Sequence, residues 1–215
     1  MSRRDELAER LGQVQGKIYR SDVTLIVVTK TYPVSDVEIL YQLGVRNFGE
    51  NRTEEGSEKS AQVEATWHFQ GGIQSRKLRD IALWADVIHS LDNSGHISKV
   101  ATVAVKPIDI FLQLSLDGDP SRGGVLEGEL PTLADQVQEH SNLNLRGLMC
   151  VPPVAADPLT AFTEISKVHQ RFIARYPGAT SLSAGMSGDY EIAMDCGATH
   201  IRVGSSILGP RTPRE

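Results

Sequence analysis

A lysine placed just beyond a β-branched apolar run is a group that can do chemistry. Lys30 follows Thr24–Val28 (TLIVV) with only Thr29 between them. An ammonium at an apolar edge loses solvation, which lowers its pKa and makes the amine a nucleophile toward an aldehyde or ketone. Far along the chain stand two glycine–serine clusters, Gly185-Met186-Ser187-Gly188 and Gly204-Ser205-Ser206. Backbone N–H groups and serine hydroxyls gathered in this way complement a phosphate dianion. Arg202 lies two residues before Gly204, so strand alternation gives both the same face.

Each of these residues has a plainer reading when taken singly: a loop lysine, glycines that close turns, a surface ion-pair arginine. Taken together they describe a phosphorylated carbonyl compound bound as a Schiff base. Pyridoxal 5′-phosphate (PLP) fits all three, with Lys30 on the aldehyde, Ser187, Gly204 and Ser205 on the phosphate, and Arg202 facing the pyridine nitrogen. A Schiff-base aldolase would need the lysine and the phosphate cup but has no particular use for Arg202.

Other motifs fail. Gly185-Met186-Ser187-Gly188-Asp189 approaches a nucleophile elbow but has Asp where Gly is required. Gly44 to Gly49 has the outer spacing of a P-loop, yet Glu50-Asn51 stands where Lys-Ser/Thr should be. The six histidines form no metal-ligand spacing, so no metal is expected, and His68 and His89 read as hydrogen-bonded core residues. Asp117, Asp119 and Asp189 read as turn and cap residues.

These groups must be held by regular elements. Leu7, Leu11, Val14 and Ile18 recur at helical spacing and predict an N-terminal amphipathic helix over residues 3–18. Beyond it, eight short apolar runs predict strands: Thr24–Val28, Val45–Phe48, Thr66–Gln70, Val87–Ser90, Ile110–Ser115, Leu145–Val151, Thr180–Ser183 and His200–Val203. Helical patterns separate them, one opened by a capping box of Ser35 and Glu38 and closed by Gly44. Eight βα units without a composition break predict a single (β/α)8 barrel over about residues 23–211, within one domain spanning 1–215. An open doubly wound sheet is the competing fold. In a barrel the C-terminal strand ends carry function, and Lys30 and both glycine–serine clusters fall there.

Composition narrows the classes further. Across 215 residues the charge is −5, from 22 basic and 27 acidic side chains, which argues against a nucleic-acid-binding surface. No apolar run is long enough to span a membrane. Cys150 and Cys196 form no C-x-x-C pattern, so reduced thiols in a cytoplasmic protein are expected. Asp5, Glu6 and Glu9 among the N-terminal arginines argue against a targeting presequence.

Several segments, in order, resemble the pyridoxal 5′-phosphate homeostasis proteins (the YggS/PROSC group). They are VTKTYP (Val28–Pro33), FGENRTEE (Phe48–Glu55), WHFQGGIQSRKL (Trp67–Leu78), IHSLDN (Ile88–Asn93), GLMCVPP (Gly147–Pro153) and LSAGMSGDYEIAMDCGATHIRVGSSILGPR (Leu182–Arg211). The resemblance runs from Val23 to Arg211. It implies a single barrel similar to the N-terminal domain of alanine racemases, with PLP on Lys30, its phosphate on Ser187, Gly204 and Ser205, and its pyridine nitrogen at Arg202. It further implies Asn51 near the ring hydroxyl and Met149 behind the ring. The sequence departs from the family pattern at Arg76, Arg122 and Ala184, where Asn, Lys and Met are usual. Arg122 keeps its charge but forms no imine, and Ala184 is expected to loosen packing under the cofactor.

Two functions follow from different classes. The first is a PLP holder in vitamin B6 homeostasis, a monomer supplying PLP-dependent apoenzymes. The second is a PLP-dependent amino-acid racemase. Racemisation needs an acid or base on each face of the substrate, and eight βα units leave no residues for the second domain that supplies one in barrel racemases. Arginine at the pyridine nitrogen is a permanent donor, so that nitrogen stays unprotonated and the ring is a weaker electron sink. The expectation is therefore a holder of cofactor.

Overall fold

Thr24–Val28 forms β1 as its β-branched composition predicts, and it is the first of eight parallel strands. The computed structural model describes residues 1–210; Arg211, the expected end of the barrel, lies outside the described residues. β2 (Asn47–Glu50), β3 (Thr66–Phe69), β4 (Val87–Leu91) and β5 (Ile108–Leu114) follow in spatial order. β6 (Leu143–Cys150), β7 (Ser181–Met186) and β8 (His200–Val203) complete the set, and β8 pairs with β1 to close the barrel. The competing open sheet is excluded.

Helices cover the outside: α1 (Arg3–Gln15) before the barrel, then α2 (Val34–Gln42), α3 (Thr53–Ser60), α4 (Leu78–Trp84) and α5 (Ser94–Val103). The remainder are α6 (Leu130–Gln138), α7 (Pro158–Arg175), α8 (Tyr190–Asp195) and α9 (Ser205–Leu208). α1 ends three residues before Ile18, buries Leu7, Leu11 and Val14, and packs on α2 and α9. Arg3 pins it there through Asp36 at 2.6 Å and the Leu208 carbonyl at 3.0 Å. No helix among the described residues is long and apolar enough to cross a membrane.

Several details differ from the sequence reading, and β5 and β6 each begin two residues earlier than their apolar runs. α2 starts at Val34 with Pro33 as its N-cap and no side-chain cap, so Ser35 lies inside the first turn and makes no capping box. β2 begins and ends two residues later than its apolar run, taking in Gly49 and Glu50. β7 continues three residues past Ser183 through Ala184, Gly185 and Met186, with a register shift against β8. Gly185 has φ +92°, and a Cβ there would lie 2.6 Å from the Ala193 Cβ; α8 packs that closely on the strand.

Strand alternation divides the core in two. One set, including Phe48, Trp67, Phe69, Ile88 and Ile201, lies between the strands and the helices. Val87, Phe111 and Met149 form a separate cluster inside the barrel, together with the buried polar residues His68, His89, Ser183 and Arg202. This interior is polar for a barrel core, and it lies directly beneath the strand ends that carry Lys30 and Asn51.

Candidate functional site at the C-terminal barrel mouth

Alternation along β1 gives Thr29 and Lys30 opposite faces. Thr29 is wholly buried on the helix side, where its hydroxyl donates to Glu50 Oε1 at 2.6 Å. Lys59 of α3 reaches the same carboxylate at 2.6 Å and donates to the Thr29 carbonyl at 2.7 Å. Glu55, one turn earlier on α3, accepts the Thr31 N–H at 2.6 Å and holds that residue at φ +72°, the left-handed region that β-branched side chains avoid. The residues on both sides of Lys30 are thus fixed by α3. Burial raises the Glu50 carboxyl above the usual carboxylate range, and Lys59 opposes that shift.

Lys30 itself is half-buried and lines a cavity of about 350 Å³. That volume is within the roughly 300–1,000 Å³ of small-molecule pockets. Every residue singled out from the sequence as a site residue lines the same cavity: Lys30 after β1, Asn51 after β2, Met149 in β6, Ser187 after β7, and Arg202, Gly204 and Ser205 at the end of β8. Lys30 and Arg202 are the only ionisable side chains among the described residues of its lining.

At the β7–β8 side, the Ser187 hydroxyl accepts from the Gly204 N–H at 3.2 Å and the Ser206 N–H at 3.4 Å. The Ser206 hydroxyl donates to the Ser187 carbonyl at 3.3 Å. Ser206, read from the sequence only as part of the second glycine–serine cluster, is therefore the brace that joins the two loops. Asp189 accepts the Met186 N–H at 2.6 Å and shapes the turn that presents Ser187, as expected of a turn residue.

Arg202 is only 5% exposed. Its Nη1 donates to the Ser183 carbonyl at 2.8 Å and to the Ser183 hydroxyl at 2.6 Å, and its Nη2 donates to the Cys150 carbonyl at 3.1 Å. Burial lowers its pKa to about 10, which leaves it charged at neutral pH. A guanidinium has five N–H donors, so some remain for the cavity that Arg202 lines.

The wall beside Lys30 holds two buried polar atoms without hydrogen-bond partners among the described residues, Asn51 Oδ1 and Gln70 Nε2. Buried groups of this kind cost about 1–3 kcal/mol unless a ligand or water satisfies them. Gln70 also lines the cavity and was missed as a site residue, although Gln70-Gly71-Gly72 at the end of β3 marked its place. Gly71 is required for this arrangement, since a Cβ there would lie 2.2 Å from the Asn51 carbonyl oxygen.

Of the three departures, Ala184 is wholly buried in the outer core and is not among the described residues that line the cavity. Arg76 is exposed and donates to Gln74 at 3.3 Å. Arg122 bonds Asp117 at 3.0 Å and the carbonyl of Val151, itself a lining residue.

Residues 3–212 match the family model of the alanine racemase N-terminal domain. The chain is 39% identical over 238 aligned positions to the pyridoxal phosphate homeostasis protein of Mycobacterium bovis, covering 99% of this chain and 90% of that one. It is 36% identical to the protein of the same name from Vibrio cholerae, over 89% of this chain and 87% of the relative. Among solved structures it resembles PipY of Synechococcus elongatus with PLP bound, at TM-score 0.86 and 30% identity, over 94% of this chain and all of that one.

Proposed function

The chain belongs to the pyridoxal phosphate homeostasis protein family, and from that premise we propose that it holds PLP as a Schiff base on Lys30 and serves intracellular vitamin B6 homeostasis as a cofactor holder. The observation that carries this reading is the single cavity that gathers an amine, a loop pair with serine hydroxyl and backbone N–H donors, and a buried arginine. PLP bound there supplies an aldehyde for the amine, a phosphate dianion and a pyridine nitrogen. The fit extends to the orphaned Asn51 Oδ1 and Gln70 Nε2, which a ligand bearing both donor and acceptor atoms would satisfy.

Each residue then has a task. Lys30 contributes the nucleophilic amine, held in place through Thr29 and Thr31 by Lys59 and Glu55. Ser187, Gly204 and Ser205 bind the phosphate. Asn51 would hold the ring hydroxyl and Met149 would back the ring, since both line the same cavity. Arg202 offers N–H donors to the pyridine nitrogen and, staying protonated, keeps that nitrogen an acceptor.

The racemase alternative requires a second proton-transferring group opposite Lys30. The other ionisable group of the described lining is Arg202, whose guanidinium is fixed by donating to the Ser183 carbonyl and hydroxyl and to the Cys150 carbonyl. Holding and releasing PLP to apoenzymes asks only for reversible attachment, for which one amine such as that of Lys30 suffices. The Cys150 thiol, which burial pushes up to about 12, is unreactive and takes no part in the site.

Titration of the purified protein with PLP should produce the long-wavelength absorbance of a lysine imine, absent in Lys30→Ala. Incubating the loaded protein with L-amino acids in D2O should leave the α-hydrogen unexchanged beyond the rate with free PLP. Enzyme-like exchange would establish the racemase, and failure of the wild-type protein to take up PLP would remove the cofactor assignment.

A further inference from the structure

Beneath the candidate site, a line of hydrogen bonds crosses the barrel interior. Arg202 Nη1 donates to the Ser183 hydroxyl at 2.6 Å, and Ser183 Oγ lies 2.9 Å from His89 Nδ1. His89 Nε2 lies 2.9 Å from His68 Nδ1, and His68 Nε2 lies 3.0 Å from Asn47 Oδ1. Ser183, His89 and His68 are at most 2% exposed. Phe111 stacks on the His89 ring at 4.5 Å, which fixes the plane of that imidazole.

The two ends of this line dictate its direction. Arginine only donates, and the Asn47 oxygen only accepts. Ser183 therefore accepts from Arg202 and donates to His89 Nδ1. His89 then carries its proton on Nε2 and donates to His68 Nδ1, and His68 likewise donates from Nε2 to Asn47. Reversing the line would leave the buried Ser183 hydroxyl proton with no acceptor among the described residues. Both imidazoles must be neutral for the line to close, and burial lowers His68 to about 3 and His89 well below its ordinary value.

We infer that His89 and Ser183 are positioning residues for Arg202, in a one-way chain Arg202 → Ser183 → His89 → His68 → Asn47 that orients the guanidinium toward the cofactor. This inference rests on the proposed role of Arg202 at the pyridine nitrogen. The chain leaves Nη1 no freedom to turn toward the cavity. It thereby reserves the remaining N–H groups for the ligand, and it offers the ring no proton, since every member passes its hydrogen away from the site.

Two measurements test it. In 15N-histidine NMR spectra, His68 and His89 should both show a protonated Nε2 and a bare Nδ1 at neutral pH; a protonated Nδ1 in either ring would overturn the chain's direction. The second is a double-mutant cycle read by PLP affinity. His89→Phe keeps the stack on Phe111 and should weaken PLP binding about tenfold in the parent protein, but by less than about twofold in an Arg202→Lys background. His89→Gln, which restores an acceptor and a donor, should recover part of the loss. If His89→Phe does not fold, Ser183→Ala, which retains the backbone bond to Arg202, takes its place in both backgrounds. Equal losses in both backgrounds, or no loss, would overturn the inference while PLP still binds the parent. No PLP uptake by the parent would overturn the proposed function, and this inference with it.

Discussion

At the scale of single residues, Ser187 is the most economical test of the phosphate end. Its hydroxyl already stands between the Gly204 and Ser206 amides, so a phosphate there would meet one hydroxyl and the backbone N–H groups together. Ser187→Ala removes one hydrogen bond to an anion and should weaken PLP binding about tenfold, with little effect on thermal unfolding. Equilibrium titration followed by absorbance checks this; unchanged affinity would take Ser187 out of the site. Much of the site was legible at this scale. Lys30, Arg202 and the glycine–serine clusters are chemically unusual against their apolar neighbours and fall at strand ends. Gln70 as a site residue and Ser206 as a brace were not legible. A polar residue beside glycines reads as a turn, and only the fold shows that one amide is orphaned and that one hydroxyl braces two loops.

At the scale of elements, the loop after β1 depends on α3. Lys59 and Glu50 form an ion pair at 2.6 Å with both side chains almost fully out of solvent, and Lys59 also holds the Thr29 carbonyl next to Lys30. Removing one partner of a buried pair costs about 3–5 kcal/mol, because the other charge is left uncompensated. Lys59→Met should therefore destabilise the protein by about that amount in denaturant unfolding and weaken PLP binding as well. Combining it with Glu50→Gln should recover a good part of the stability. A loss below about 1 kcal/mol for Lys59→Met would show that the pair does not hold this loop. The same pair explains why β2 was placed two residues early. A glutamate reads as solvent-exposed until its partner is known, and that partner is nine residues away on a helix whose sequence is mostly polar. β7 was cut short for a related reason: Ala184-Gly185 looks like a turn, yet Gly185 is needed in the strand because α8 packs on it there.

At the scale of the whole molecule, eight strands with helices between them close a barrel whose interior is built around neutral histidines. Burial lowers His68 to about 3 and His200 to about 4, and it also holds His89 well below its ordinary value. An unfolded histidine titrates near 6.5, so below that pH the unfolded chain binds more protons than the folded one. Stability is then full above about pH 6.5 and falls steadily as the pH drops toward 4 and below. Each histidine contributes up to about 1.4 kcal/mol per pH unit to that slope. Thermal unfolding between pH 7.5 and 4.5 should show a falling Tm; a flat Tm over that range would mean that the imidazoles are already charged or are exposed. The barrel was legible because alternation of apolar runs and helical patterns is a global signal that survives errors of two or three residues at each boundary. The histidine line was not, because pairing across strands depends on register.

The central claim is that the Lys30 amine holds the cofactor, and reductive trapping tests it most directly. The protein is loaded with PLP, reduced with borohydride, digested and mapped by mass spectrometry. The expected result is a single pyridoxyl phosphate adduct on the peptide carrying Lys30, lost when Lys30→Ala is treated in the same way. An adduct on a different lysine, or none on a protein that has bound PLP, would contradict it.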